Sequence, residues 1–263
     1  MVDNLVAGWD FVSNNSFNAY NDIVGHGTHV AGIVGAVINN GMGIAGVNWY
    51  TRLVPLKTDF IGLNGPITNS STVLAAVNHA KNNNIPILNA SLGDALLYDY
   101  ALRTEIETYT GLFVCTAGNN NKNIDNFPYY PGSWGGNNNT YGNIITVGST
   151  DINDTIASDS NYGSNSVDLF APGVGIVSTF VTEEGMFTYA QLNGTSMAAP
   201  HVTGVAASLM SQGKLSGREL RNIILNTVDK VPALNGYCVT GGRLNAFKAL
   251  AAHLAAGWCN CYY

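Results

Sequence analysis

Residues 193–202 read Asn-Gly-Thr-Ser-Met-Ala-Ala-Pro-His-Val and describe a serine at the start of a buried helix. Gly194 permits a tight turn and a close approach of the backbone to a ligand. Thr195 and Ser196 are of the type that begins helices, and the residues after them are apolar on almost every side, which is typical of a core helix. Ser196 is therefore predicted to lie at the positive end of a helix dipole, where a nucleophile that generates an oxyanion is favoured. An ordinary capping serine would give the same local pattern.

A histidine between two glycines opens another apolar helix upstream. Residues 25–32 read Gly-His-Gly-Thr-His-Val-Ala-Gly, and residues 194–202 read Gly-Thr-Ser-Met-Ala-Ala-Pro-His-Val. In this order, the two motifs resemble those of the subtilisin-like serine proteases, the subtilases. The resemblance implies a serine endopeptidase that hydrolyses polypeptide substrates through an acyl-enzyme, with Ser196 as the nucleophile and His26 as the general base.

A further motif supplies the expected oxyanion donor. Residues 116–119 read Thr-Ala-Gly-Asn and follow a buried apolar run, as the corresponding subtilase motif does. By that match, the Asn119 amide stabilises the oxyanion of the transition state together with the backbone N–H of Ser196. Taken alone, Gly-Asn after a strand indicates only a turn.

Two more segments resemble the parts of a subtilase that bind the peptide substrate. An extended peptide between two such edges is held by main-chain hydrogen bonds, while pockets read alternate side chains. Ordinary loop chemistry would also account for both segments. The resemblance assigns substrate contacts to Ser91, Leu92, Gly93, Ala117 and Gly118, and to Gly62 in the loop 62–65.

Apolar strands alternate with helical patterns along the chain, which predicts an α/β protein with a parallel sheet covered on both faces. The resemblance makes this a single subtilisin-like peptidase domain over 1–263, with three α/β/α layers and a mostly parallel central sheet. The predicted strands are 5–12, 52–57, 85–92, 113–117, 144–148 and part of 168–178. The predicted helices are 27–38, one capped by Ser70 or Ser71, 100–109, the Ser196 helix, 217–226 and 244–254; loops are predicted at 60–69 and 120–143.

The third catalytic residue of the subtilase pattern has no counterpart in the sequence. Subtilases carry an aspartate, followed by Thr/Ser-Gly, on the first strand of the sheet. Here Asp3, Asp10 and Asp22 precede His26, and none is followed by Ser/Thr-Gly. The resemblance therefore predicts a chain that is N-terminally incomplete or degenerate, lacks that first strand and leaves sheet edges unpaired. In a member of the family, loss of the aspartate lowers turnover roughly 10⁴-fold. An inactive pseudoprotease that only binds peptides is thus the alternative function.

No metal ion or other cofactor is expected to take part in the predicted reaction. His26 and His29 share one helical face near Asp22, but no further His or Glu follows in a metalloprotease pattern. Structural calcium is implied by family analogy alone, since no acidic cluster in the sequence specifies a site. The order His, Ser also occurs in chymotrypsin-like proteases, but those are all-β, whereas both candidate residues here open helices.

Composition limits the partners. Of the 263 residues, 46% are hydrophobic and 11% are charged, and the net charge of −6 provides no basic surface for nucleic acid or anionic membrane. No apolar run approaches the roughly 18 residues of a transmembrane helix. We expect a monomer that binds neither nucleic acid nor membranes. The sequence leading from Met1 predicts no signal peptide, although family members are typically secreted. The sequence therefore makes no prediction of the cellular compartment.

The four cysteines differ in their surroundings. Cys115 lies in an apolar run, where a buried free thiol is the default. The other three, Cys238, Cys259 and Cys261, cluster near the C-terminus, so one disulfide between Cys238 and either of its neighbours is allowed, with one thiol left over.

Overall fold

Helices and strands alternate along the chain, as the sequence pattern predicts. The computed structural model describes residues 4–16, 21–62 and 65–259. The helices are α1 (His26–Gly35), α2 (Ser70–Asn82), α3 (Tyr100–Glu107), α4 (Thr195–Met210), α5 (Gly217–Asn226) and α6 (Ala246–Cys259). The strands are β1 (Trp9–Asp10), β2 (Leu56–Lys57), β3 (Asp59–Gly62), β4 (Gly65–Thr68), β5 (Ile87–Ala90), β6 (Leu112–Thr116), β7 (Ile144–Thr150), β8 (Leu169–Pro172), β9 (Ile176–Val181), β10 (Phe187–Leu192), β11 (Asp229–Lys230) and β12 (Gly242–Arg243).

Six strands form the central sheet in the order β11-β12-β8-β7-β6-β5. The four neighbouring pairs from β12 to β5 are parallel, and the β11–β12 pair is antiparallel. The carboxyl ends of parallel strands meet at one edge of a sheet, which is where active sites of such folds are built. The predicted mostly parallel sheet is confirmed.

Helices cover both faces of this sheet because its central strands are apolar on both sides. On β6, Leu112 and Val114 pack with α4 and α5 in one core cluster, while Phe113 and Cys115 pack with α2 and α3 in another. Alternate residues of one strand thus belong to opposite layers, as the period of two requires. The three-layer α/β/α fold is confirmed.

Two helix starts differ from the prediction in detail. The N-cap of α2 is Asn69, whose side chain accepts a hydrogen bond from Thr72 N at 2.9 Å; the prediction of Ser70 or Ser71 as the cap was wrong. The N-cap of α4 is Gly194 at φ +132°, so Ser196 is the second helical residue. Both helices begin within one or two residues of the position that the capping-type residues predict.

Two hairpins were missed because their strands are short or exposed. The segment 60–69 was predicted as a loop, but β3 and β4 pair there in antiparallel fashion. Likewise, β9 and β10 form an antiparallel hairpin that extends beyond the predicted stretch 168–178. The predicted strand 5–12 is reduced to β1 and a bridge between Leu5 and Leu53.

The cysteines with described side chains are both free and buried. Burial raises the pKa of the Cys115 thiol to about 12. Cys238 thus forms no disulfide with a described residue, and the side chains of its two candidate partners, Cys259 and Cys261, lie outside the described part of the chain.

Within the described ranges, no helix combines the length and apolar character needed to cross a membrane.

Candidate active site

The first turn of α1 places His26. Gly25, the N-cap, adopts φ +79°, and a Cβ built on it would collide with the ring of Phe180, so glycine is required here. Asp22 replaces the missing capping side chain. Its carboxylate accepts hydrogen bonds from Gly25 N at 2.8 Å and from both Thr28 N and Thr28 Oγ1 at 2.7 Å. A carboxylate at a helix N-terminus fixes the start of that helix.

The second histidine of the motif is bonded to the β9–β10 hairpin. His29 is completely buried, and its Nε2 lies 3.1 Å from Ile176 O and 3.0 Å from Ala190 O. Two carbonyl acceptors identify Nε2 as the protonated nitrogen, so this ring fastens α1 to the β9–β10 hairpin. As a protonated donor, His29 Nε2 is not available as a metal ligand beside His26.

The carbonyl oxygen of Ser196 accepts a hydrogen bond from a side chain instead of from the helix backbone. Pro200 stands four residues later in α4 and has no N–H to offer to Ser196 O. The hydroxyl of Ser91 takes that place and donates to Ser196 O at 2.9 Å. The Ser91 hydroxyl in turn accepts from Asn89 Nδ2 at 2.9 Å, and Asn89 Oδ1 accepts from Thr203 Oγ1 at 2.8 Å. This chain of hydrogen bonds connects β5 to α4 at the level of the serine.

The side chain of Asn119 lies against the start of α4. Its Oδ1 accepts from both Thr195 N and Thr195 Oγ1 at 2.9 Å, which fixes the orientation of the amide. Nδ2 therefore points the other way, and a Cβ on Gly194 would approach it to 3.1 Å. In the described part of the chain, neither Asn119 Nδ2 nor the N–H of Ser196 has a hydrogen-bond acceptor. Both donors are thus at the start of α4 and have no acceptor among the described residues.

His26 and Ser196 line one cleft of about 1790 Å³, together with Ser91, Leu92 and Gly93. The imidazole and the hydroxyl are not hydrogen-bonded to each other in the described structure; Ser196 Oγ lies 3.5 Å from Ser91 O. The two side chains therefore line one cavity without the hydrogen bond that proton transfer between them requires.

The other residues predicted to contact substrate are Ala117, Gly118 and Gly62, and they are not among the residues that line this cleft. Asn161 Nδ2 donates to Ala117 O and Asn161 N donates to Gly118 O, both at 2.8 Å. Gly118 N donates to Thr195 Oγ1 at 3.2 Å. Gly62 pairs with Gly65 at the end of the β3–β4 hairpin, and residues 63–64 of that loop lie outside the described part. The substrate roles of these three residues stay predictions.

Comparison with known proteins identifies the family. The model of the subtilase family matches residues 3–244. The chain belongs to the subtilase family. Thermitase of Thermoactinomyces vulgaris is 37% identical over 254 residues, which are 95% of this chain and 82% of thermitase. A thermophilic serine proteinase of Bacillus sp. (strain AK1) is 38% identical over 94% of this chain, which spans 56% of that relative. A solved protease structure from Pseudoalteromonas arctica PAMC 21717 is similar with a TM-score of 0.79 and 30% identity, covering 95% of this chain and 84% of that one.

The subtilase is accordingly a serine endopeptidase, and its substrates are polypeptides. Burial lowers the pKa of the His26 imidazole below its ordinary value, and the negative charges of Asp59 and Asp22 oppose that lowering. Neither carboxylate is hydrogen-bonded to the ring. Asp22 is engaged by the start of α1, and Asp59 Oδ1 accepts from Thr58 Oγ1 at 3.1 Å and Thr68 Oγ1 at 2.6 Å. The neutral imidazole thus has no carboxylate to orient it within the described residues.

Calcium, which subtilases commonly bind, has no evident set of ligands here. Among the described residues, no group of three or more His, Cys, Asp or Glu side chains is arranged to hold a metal ion. Within the described ranges, these side chains therefore do not identify a calcium site.

The hydrogen bond from Ser91 to Ser196 O was not predicted from the sequence. Pro200, four residues after Ser196, does indicate that this carbonyl needs a donor from outside the helix. We expect Ser91→Ala to leave Ser196 O without a partner, to lower the free energy of unfolding by about 1–3 kcal/mol and to slow labelling of Ser196 by a fluorophosphonate. Ser91→Thr keeps a hydroxyl and should restore both quantities. If Ser91→Ala lowered stability but left the labelling rate of the folded protein unchanged, a positioning role would be contradicted.

Proposed function

We propose that this subtilase cleaves peptide bonds with Ser196 as the nucleophile, His26 as the general base and Asn119 as an oxyanion donor. The observation that carries the proposal is the pair of free donors, Asn119 Nδ2 and Ser196 N–H, at the start of the helix that bears the serine hydroxyl. Preorganised donors of this kind stabilise charge that appears only in the transition state.

The proposed reaction follows from these positions. Ser196 Oγ attacks the carbonyl carbon of the scissile bond while its proton passes to the neutral nitrogen of His26, and the carbonyl oxygen becomes the oxyanion. His26 then gives the proton to the leaving amine as the C–N bond breaks. Water, deprotonated by the same imidazole, then attacks the acyl carbon, and His26 returns the proton to Ser196 Oγ as the ester C–O bond breaks. A rotation of the Ser196 side chain away from Ser91 O must precede the first step, because the hydroxyl now faces that carbonyl.

One observation favours the alternative, a pseudoprotease that binds peptides without cleaving them. No described carboxylate is hydrogen-bonded to His26, and the carboxylate of a serine protease triad both orients the imidazole and stabilises its protonated form. In that case the cleft would bind peptides while Ser196 stayed inert.

Labelling with a fluorophosphonate separates the two functions. Ser196 Oγ attacks phosphorus, fluoride leaves, and the hydroxyl proton is taken up by His26. We expect one label per folded chain, on Ser196, and none in Ser196→Ala. Failure of the folded wild-type protein to label under prolonged exposure would overturn the proposed catalysis and favour the peptide-binding module.

The pH dependence of labelling should report the environment of His26. A general base works as the neutral imidazole, so activity is present above its pKa and is lost below it. Because burial lowers the pKa of His26, we expect the half-maximal rate below pH 6.5, its ordinary value. Asp59→Asn removes the charge that most raises this pKa and should move the midpoint further down, by less than about one pH unit.

Asp154→Asn is the matched control, since Asp154 pairs with Arg243 on a different part of the surface. A midpoint that moved upward in Asp59→Asn, or moved equally in the control, would contradict the electrostatic assignment.

A further inference from the structure

Two segments at the carboxyl ends of neighbouring strands meet at the start of α4. The segment 91–93 follows β5 and donates a hydrogen bond to Ser196 O at 2.9 Å. The segment 117–119 follows β6 and is hydrogen-bonded to Thr195 at 2.9–3.2 Å. Because β5 and β6 are adjacent and parallel, both segments lie at the edge of the sheet where such folds bind ligands. The space between them, here termed the crevice, therefore opens beside Ser196.

The aromatic ring of Tyr129 occupies this crevice. A Cβ built on Gly93 would lie 2.4 Å from Cε1 of the ring, and one built on Gly118 would lie 2.9 Å from Cε2 and from Cζ. Opposite edges of the ring are thus in contact with glycines of the two segments. The backbone of Gly93 is not left-handed, so glycine is needed there because the ring and Tyr130 O leave no room for a side chain.

Hydrogen bonds hold this ring in place. Tyr129 N donates to Ser133 Oγ at 2.9 Å, and Ser133 N donates to Tyr129 O at 2.7 Å. The Tyr129 hydroxyl is hydrogen-bonded to the side chain of Thr116. The next residue, Tyr130, exchanges two backbone hydrogen bonds of 3.0 Å with Asp94. Rotating the ring out of the crevice breaks its bond to Thr116, and shifting the backbone breaks the bonds to Ser133 and Asp94.

The position of the crevice decides which part of a substrate meets the ring. In the proposed reaction, His26 gives its proton to the leaving amine, so the leaving half of the peptide extends on the side of His26. Asn119 holds the carbonyl oxygen, and the acyl half stays attached to Ser196 beside the crevice. Tyr129 and Ser196 line the same cleft. The residue that supplies the carbonyl group therefore turns its side chain toward the ring.

Two properties of the ring define which side chains are admitted. A glycine hydrogen or an alanine methyl group is accommodated, whereas a long or aromatic side chain collides with a ring that is held in place, and overpacking of this kind is costly. Burial raises the pKa of the Tyr129 hydroxyl to about 12, so the hydroxyl is uncharged at neutral pH and supplies no counter-charge for lysine or arginine. The crevice thus favours small, uncharged side chains.

We propose that Tyr129 determines the specificity of this subtilase, which cleaves after small residues such as glycine and alanine and rejects large apolar and aromatic residues at that position. The preference in cleavage rests on the proposed function. The exclusion of large side chains from the crevice does not, because it is measurable as binding alone.

The first test measures binding with Ser196→Ala, which keeps the backbone N–H but lacks the nucleophile. The probes are two fluorescein-labelled tetrapeptides that are identical except for the last residue, Ala in one and Phe in the other, and binding is followed by anisotropy. The terminal carboxylate of each probe takes the place of the acyl group. We expect the Ala peptide to bind at least about tenfold more tightly. Equal affinities, tighter binding of the Phe peptide or no binding of either would overturn the proposal.

Substitutions in the same background assign the selectivity to the ring. Tyr129→Ala empties the crevice, so the Phe peptide should gain at least about tenfold in affinity and bind more tightly than the Ala peptide. Phe127→Ala removes an exposed ring from the same loop outside the cleft and should leave both affinities unchanged. An unchanged preference in folded Tyr129→Ala, or a reversal in Phe127→Ala, would refute the role of Tyr129. If Tyr129→Ala does not fold, Tyr129→Leu retains more apolar contact and should still reduce the preference for the Ala peptide.

The second test uses the wild-type serine and p-nitrophenyl esters of N-acetylalanine and N-acetylphenylalanine. The ratio of their kcat/KM values, each divided by the rate of spontaneous hydrolysis, does not depend on the fraction of active protein. We expect the ratio to favour the Ala ester in the wild type and the Phe ester in Tyr129→Ala. Equal ratios in the two proteins would overturn the proposed specificity while catalysis stood. Selective peptide binding without hydrolysis of either ester would instead overturn the proposed catalysis and leave the role of Tyr129 intact.

Discussion

Asn119→Leu is expected to slow acylation of Ser196 by about 10²–10³-fold, the cost known for loss of one oxyanion donor in a member of this family. Its Nδ2 is free because Thr195 holds Oδ1 in place. The donor acts on charge that develops during attack, so substrate affinity should change little. The measurement is the release of p-nitrophenolate from an activated ester. The maximal rate should fall in the variant, while the KM should change little.

Two further variants separate the donor from the framework at this position. Asn119→Asp keeps an acceptor for Thr195 but replaces the donor by negative charge, so it should be folded and at least as slow as Asn119→Leu. Asn120→Leu changes the exposed neighbour, whose backbone N–H bonds to Asn161 Oδ1 at 3.0 Å, and should retain the wild-type rate. An Asn119→Asp protein of normal activity would remove Asn119 from the oxyanion site.

Arg221→Met should cost about 3–5 kcal/mol in the free energy of unfolding, measured by urea denaturation. Asp168 is completely buried between β7 and β8, and Arg221 donates to its Oδ1 at 2.6 Å. Thr146 N and Gly136 N donate to Oδ2 at 2.7 and 3.0 Å. Removing one partner of a buried ion pair leaves an uncompensated charge, which is far more costly than losing an exposed pair.

Arg218→Met is the matched control on the same helix. Arg218 is exposed and donates to Tyr141 O at 2.8 Å, so its loss should cost less than about 1 kcal/mol. Burial raises the pKa of Asp168, and Arg221 is the largest opposing influence. Without Arg221 the carboxyl binds its proton more tightly in the folded state, so the destabilisation should shrink as the pH falls toward about 4. Equal costs for the two arginines would contradict a buried-charge origin.

The sequence was most informative where one local signal and the tertiary environment agree. Helix α5 was predicted at its observed bounds because its apolar residues follow an amphipathic pattern. In the structure its start is also fixed by a capping box of Ser216 and Glu219. The buried strands β6 and β7 were predicted because they are apolar on both faces. The β9–β10 hairpin was missed because β10 is mostly exposed and is held to α1 by His29, a contact between residues distant in sequence.

The site divides in the same way. The motifs identified the helix starts that present His26 and Ser196, because glycine turns and runs of small residues depend only on residues adjacent in sequence. They could not show that Asp22 binds the start of α1 or that Ser91 supports Ser196 O, because these bonds depend on how separate segments meet.

The burial of Cys115 has a practical consequence. Its thiol lies on β6, is wholly inaccessible and has a pKa of about 12, so the reactive thiolate is scarce as well as hidden. Alkylation of this single sulfur thus requires separation of the innermost strands from their covering helices. The rate at which iodoacetamide alkylates Cys115, followed by residue-resolved mass spectrometry, would therefore report global opening of the native state without an engineered probe.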